Sequence, residues 1–229
     1  MPVLFIAGII ILIIAIGIVG RLMALKRRKE LMAWAQAHGL RFIPSRDASI
    51  DERFPGFSCL RRGSNRYAFN ISEGTIDNRQ IRAFDYHYET HSTDSKGRRK
   101  THHHYFSAVI INTNLLLKPL FIRPENMFDK LTEFFGFDDI DFESAAFSRA
   151  FFVKSPDRRW AYDVIQQSTM EFLLSSPRYT IEFDRSYILA CRNSRFSPVE
   201  FDAALDVAAG IVTRLPLSLV KEITMESRV

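Results

Sequence analysis

Histidine and acidic side chains are the residues here whose types and spacing could do chemistry. Five of the six histidines, His87, His91, His102, His103 and His104, fall in one short stretch, with Asp85 just before them. Imidazole nitrogens and carboxylates are the ligands that zinc and nickel prefer. A set made of His87, His91, His102 and His104 is therefore the candidate metal site. The acidic run Asp138, Asp139, Asp141 and Glu143 lacks the spacing of a calcium loop and reads as a solvated connection. None of the GxSxG, HExxH, GxxxxGK[ST] or GxGxxG motifs is present, so no catalytic residue and no cofactor is assigned.

The histidines sit on a pattern that specifies a hairpin. Residues 79–89, RQIRAFDYHYE, alternate, with Ile81, Ala83, Asp85 and His87 on one face and Arg82, Phe84, Tyr86 and Tyr88 on the other. The aromatic face is expected to be the buried one. STDSKGRR makes a polar tip, and THHHYFSAVIINT returns. A tip near Asp94 to Gly97 sets His91 beside Thr101 or His102, and His87 beside Tyr105. The tip is basic, with Lys96, Arg98, Arg99 and Lys100, and would contact anionic lipid if it lay near a membrane.

A membrane is indicated at the other end of the chain. Val3 to Val19 reads VLFIAGIIILIIAIGIV, without one polar side chain. As a helix it spans roughly 25 Å. The turn up to Leu25 completes a hydrocarbon core of about 30 Å, with Arg21 reaching back to the headgroups. Arg21, Lys26, Arg27, Arg28 and Lys29 follow it, so residues 21–30 supply +4 of the net charge of +5. The positive-inside rule then puts the N-terminus outside and the C-terminal domain in the cytoplasm. The nearly neutral remainder argues against nucleic acid. Trp34 belongs with this anchoring region, facing either the lipid interface or the domain. Gly17, Gly20 and Ala24 would let two such helices approach, so the partners implied are the bilayer and a protein or second copy.

The intended division is an anchor over 1–25, a basic juxtamembrane helix over 26–39 and a soluble domain over 40–229, with a division into two packed halves near 123. Strands are expected at 67–71, 115–122 and 147–153. A second hairpin is expected around Asp184-Arg185-Ser186. Helices are expected from Arg123 to about Phe135, over 159–174 and over 198–215. No βαβ spacing occurs, so the fold class is α+β with a mostly antiparallel sheet. Cys59 and Cys191 read as reduced thiols, since a disulfide needs an oxidising compartment.

Phe84-Asp85-Tyr86-His87-Tyr88, Arg123-Pro124-Glu125, Asp139-Ile140-Asp141-Phe142-Glu143 and Ala161-Tyr162-Asp163 accompany the anchor. In these parts the chain resembles an uncharacterised family of small bacterial single-pass membrane proteins with a cytoplasmic domain. The resemblance implies the bacterial inner membrane and transfers no catalytic residue. The function expected is a membrane-tethered interaction or scaffold surface. The alternative is a metal-binding or enzymatic module using the hairpin 85–104.

Overall fold

A computed structural model of the chain describes residues 2–125 and 139–226. The helix expected from Arg123 to Phe135 and the acidic Asp138 therefore lie outside the described residues, apart from Arg123 to Glu125. The first element is one continuous helix, α1 (Pro2–Ala37). Its apolar part is exposed, with Ile11 and Met23 both about two-thirds accessible, and only one helix in the described chain is by itself long and apolar enough to cross a membrane. The anchor and the basic segment are thus not separate elements. The helix ends at Gly39, which takes φ +66, and Leu40 N–H closes back on Ala35.

The domain is an antiparallel sheet of six strands with its longer helices on one face. Its order is β1 (Arg41–Ile43), β2 (Ser64–Ile76), β3 (Arg79–Thr93), β4 (Arg99–Pro124) and β5 (Phe151–Lys154), with β6 (Thr180–Arg192) on the other edge of β4. β2 turns into β3 at Asp77-Asn78, both with positive φ. That is the two-residue turn whose twist matches a hairpin, and Asp and Asn tolerate it best. β2 runs on through Glu73, Gly74 and Thr75 up to that turn.

Two other expectations change for a common reason. The segments 101–113 and 115–122 are one strand, bent where Asn114 adopts φ +58. The hairpin expected at Asp184-Arg185-Ser186 is also one strand, with Arg185 at φ +52. β4 and β6 pair on both sides of this shared irregularity. A left-handed residue that would signal a turn in an isolated strand is here a bulge, because the neighbouring strand carries its own.

Ala83, Val109 and Ile111 face a large core closed by Leu31, Trp34 and Ala35 of α1 and by α6 (Pro198–Val212). Ser197 caps α6 through a reciprocal pair with Glu200. The short helices α3 (Ala145–Ser148) and α4 (Arg158–Val164), with α5 (Gln167–Ser175) and α7 (Leu217–Glu226), complete that layer. The core runs without interruption across residue 123. The other face packs Phe84, Tyr86 and Phe106 under the segment holding α2 (Ile50–Arg53) and a 3-10 turn (Ser58–Arg61). The aromatic face of β3 is buried, and so is its opposite face, since β3 is central and covered twice.

Buried Glu182 fastens the covering segment. It accepts hydrogen bonds from Ser58 N–H (2.6 Å), Ser58 Oγ (2.9 Å) and Cys59 N–H (3.1 Å), and burial pushes its pKa up. Gly63 follows, at φ +58, where an added Cβ would lie 2.1 Å from the carbonyl oxygen of Glu89. Gly97 at the hairpin tip also has positive φ, but open space around it. Gly63→Ala therefore carries a backbone clash on top of the left-handed penalty of about 1–2 kcal/mol, whereas Gly97→Ala carries the penalty alone. Thermal denaturation of the full chain in detergent should show the larger fall in Tm for Gly63→Ala.

Candidate functional site

The centre of the molecule is a buried carboxylate. Asp85 is inaccessible to solvent, on the β3 face turned toward α1. Leaving such a charge unpaired would cost several kcal/mol. Three side chains answer it, with four hydrogen bonds. Arg27 binds both oxygens, with Nε 2.9 Å from Oδ2 and Nη2 2.6 Å from Oδ1. Ser107 donates Oγ–H to Oδ1 at 2.6 Å, and Asn70 donates its amide to Oδ2 at 3.0 Å. Arg27 is 58 residues away in sequence and belongs to the run read as a topology signal.

Local sequence explains how these partners arrive. Ser107 is the cross-strand partner of Asp85 in the β3–β4 register, so the two share a face. Asn70 has φ +49 at a register shift between Phe69 and Ser72, and this bulge aims its side chain at Asp85. Ser107 also fastens the loop after β6, accepting from Phe196 N–H at 2.9 Å and donating its own N–H to the Ser194 carbonyl.

The end of α1 and the residue after it are also tied to α6. Trp34 stacks near Phe201 (5.2 Å) and donates Nε1–H to Asp202 at 2.8 Å. His38 Nε2 lies 3.1 Å from the same carboxylate. Trp34 is 6% exposed, so it faces the domain and not the lipid interface. Lys26 pairs with Glu30 on the helix surface, and Lys29 is exposed.

The hairpin register divides the histidines. His87 lies opposite Tyr105 and His91 opposite Thr101. Thr90 faces His102, Glu89 faces His103 and Tyr88 faces His104. His87 and His91 are therefore on one face, His102 and His104 on the other. The set His87, His91, His102 and His104 cannot converge on one ion. His91 meets the hydroxyls of Ser64 and Thr101, His102 meets Ser92, and His104 meets Thr90 and stacks on Tyr88.

A different trio does converge. Ligand atoms of His87, Glu89 and His103 lie within 4.8 Å of one another. His87 is buried and donates Nδ1–H to the Asn65 carbonyl at 3.0 Å, which leaves Nε2 as its lone-pair nitrogen, 3.1 Å from His103 Nδ1. Asn65 also donates its amide to Glu89 at 2.6 Å, and that bond holds the Glu89 carboxyl below its usual range. Like Asn70, Asn65 has φ +49 at a bulge of β2. The sequence signal for both was two asparagines five residues apart inside a strand, where asparagine is otherwise disfavoured.

The basic tip is fully exposed, with Lys96, Arg98, Arg99 and Lys100 in solvent and Arg98 paired to Asp94. A concave basic surface lies elsewhere. An open cleft of about 610 Å3 forms where α1 leaves the sheet, and α1, the 44–46 segment, β2, β4 and the loop after β6 all contribute to it.

Asp85→Ala strands Arg27 beside an emptied pocket and should cost about 3 kcal/mol. Asp85→Ala combined with Arg27→Met should cost less than the sum of the two single changes, measured by denaturant titration of the full chain in detergent. Burial lowers the pKa of His87. The unfolded chain then binds the proton more readily, so stability should fall as pH drops below about 6.5. His87→Gln should flatten that part of the profile.

No family model matches the chain, and no curated protein matches it. Among solved structures it is similar to the crystal structure of the mycobacterial trehalose monomycolate transport factor A, TtfA. The TM-score is 0.60 over 82% of this chain and 94% of that one, at 10% identity. The likeness is one of fold: an α+β domain with an antiparallel sheet.

Proposed function

We propose that this chain is a non-enzymatic, single-pass protein of the bacterial inner (cytoplasmic) membrane, whose cytoplasmic α+β domain works as an interaction surface held in a fixed pose at the bilayer. The observation that carries it is the bidentate Arg27–Asp85 pair, which joins the anchor helix to the centre of the sheet. An enzyme domain that only needed to be near a membrane would be served by a flexible linker. A helix that runs unbroken from the apolar segment into the core instead transmits orientation. Orientation matters for docking. The similar mycobacterial protein is a transport factor by name, and a factor that acts by contact is the role proposed here. The surface so presented would dock a protein partner or a second copy.

β3 and the outgoing helix advance in the same sense. Asp85 meets Arg27, while Tyr105, opposite His87, shares the cleft with Arg21 and Ala24. The hairpin tip would then leave the domain on the membrane side, where Lys96, Arg98, Arg99 and Lys100 could meet anionic lipid.

Photo-crosslinking groups placed at exposed Leu116 and Tyr162 of the full chain in native membranes should yield a reproducible protein adduct. Repeated absence of any adduct would contradict the docking role. A C-terminal reporter active only in the periplasm should be silent, and an active one would reverse the orientation.

The trio His87, Glu89 and His103 favours a second reading, a divalent metal with an open coordination position. The Asn65 carbonyl already orients His87 as an outer partner would. Stoichiometric zinc in the untagged full chain, lost in His103→Ala and kept in His102→Ala, would establish it. Metal-free protein after zinc loading and desalting would remove it.

A further inference from the structure

The cleft beside the anchor gathers more positive charge than the Asp85 network uses. Arg21, Arg27, Arg28, Arg46 and Arg195 all line it, and no carboxylate does. Asp85 neutralises Arg27 from behind. Among the described residues, no Asp or Glu forms an ion pair with the other four. Like charges brought to one concavity repel, and an anion bound between them relieves that repulsion.

Two of these guanidiniums are held in place. Arg46 lies over the Tyr67 ring, 4.3 Å from its centre, and Arg195 over Tyr105 at 4.4 Å. Backbone pairing fixes both positions. Asp47 and Ala68 exchange hydrogen bonds of 2.8 and 2.9 Å, which sets Arg46 beside Tyr67. Ser107 clamps Ser194 and Phe196 on either side of Arg195. Fixed guanidinium forks over aromatic rings suit the oxygens of a phosphate better than lysines would.

The position of the cleft selects the source of that phosphate. Arg21, Ala24 and Leu25 form one wall, at the point where α1 changes from uniformly apolar to basic. On a spanning helix this change marks the headgroup region. Tyr67 and Tyr105 add amphipathic aromatic rings of the kind enriched at that depth. We propose that the cleft binds the phosphate-bearing headgroup of an anionic lipid from the same bilayer that α1 spans. This rests on the membrane placement given above and names a ligand for the surface held there. Filling the site would make the lipid part of the joint between anchor and domain.

Native mass spectrometry of the full chain in mild detergent, with phosphatidylglycerol or phosphatidylcholine added, tests this. One phosphatidylglycerol should be retained in preference to phosphatidylcholine. The double variant Arg46→Gln, Arg195→Gln should weaken retention by about tenfold or more, since two charges are removed. Arg149→Gln with Lys221→Gln, two exposed basic positions outside the cleft, should leave retention unchanged. An unaltered Tm in the cleft variant would show that the fold is intact. Equal retention of both lipids, or no loss in the cleft variant, would overturn the proposal. Displacement of the lipid by millimolar inorganic phosphate would overturn the lipid source and assign the cleft to a soluble anion. None of these results bears on the protein adduct sought by crosslinking, so the two readings can fail separately.

Discussion

The pairing of Arg27 with Asp85 is the constraint that the rest of the structure obeys. A carboxylate with no solvent access, on a central strand, is tolerable only with its charge and lone pairs satisfied. Asn70 and Ser107 satisfy part of it from within the sheet, and both do so through strand geometry. The countercharge comes from the anchor helix. The domain therefore cannot complete its centre without α1, and α1 cannot swivel at the membrane without exposing that centre. Trp34 and Leu31 then extend the joint into the hydrophobic core.

This joint has consequences for the surface around it. The face of β3 that meets α1 carries Asp85, then His87, then Glu89 as it moves away from the core. Beside it, bulges and a clamped loop set arginines into an open cleft. Polar groups are thus concentrated where the helix leaves the sheet, while the opposite face of β3 is filled by Phe84 and Tyr86 under the covering segment. The arginine-lined cleft therefore lies where the uniformly apolar run of α1 gives way to its basic segment.

Much of the fold was legible in the residues. The uniform apolarity of Val3 to Val19 identified the anchor, and alternation over 79–89 identified the hairpin with its register at His87 and His91. The two asparagine bulges in β2, the matched kinks at Asn114 and Arg185, and the turn at Asp77-Asn78 were misread or missed. Positive-φ tolerance is a local signal, but whether it makes a turn or a bulge depends on the partner strand. The candidate site was the least legible. Arg27 and Asp85 lie 58 residues apart, and each has an ordinary local reading, a topology charge and an alternating strand residue. The histidine grouping failed because strand pairing sorts residues by parity, which put His103 with His87 and sent His102 and His104 to the far side.

The central claim, that anchor and domain are one rigid body, is open to a direct distance measurement. Spin labels at Met23→Cys on α1 and Leu116→Cys on β4, both exposed positions, can be read by pulsed electron paramagnetic resonance in lipid nanodiscs. The account predicts one narrow distance distribution, which broadens when Asp85→Ala is added. A broad distribution in the otherwise unaltered chain would contradict it.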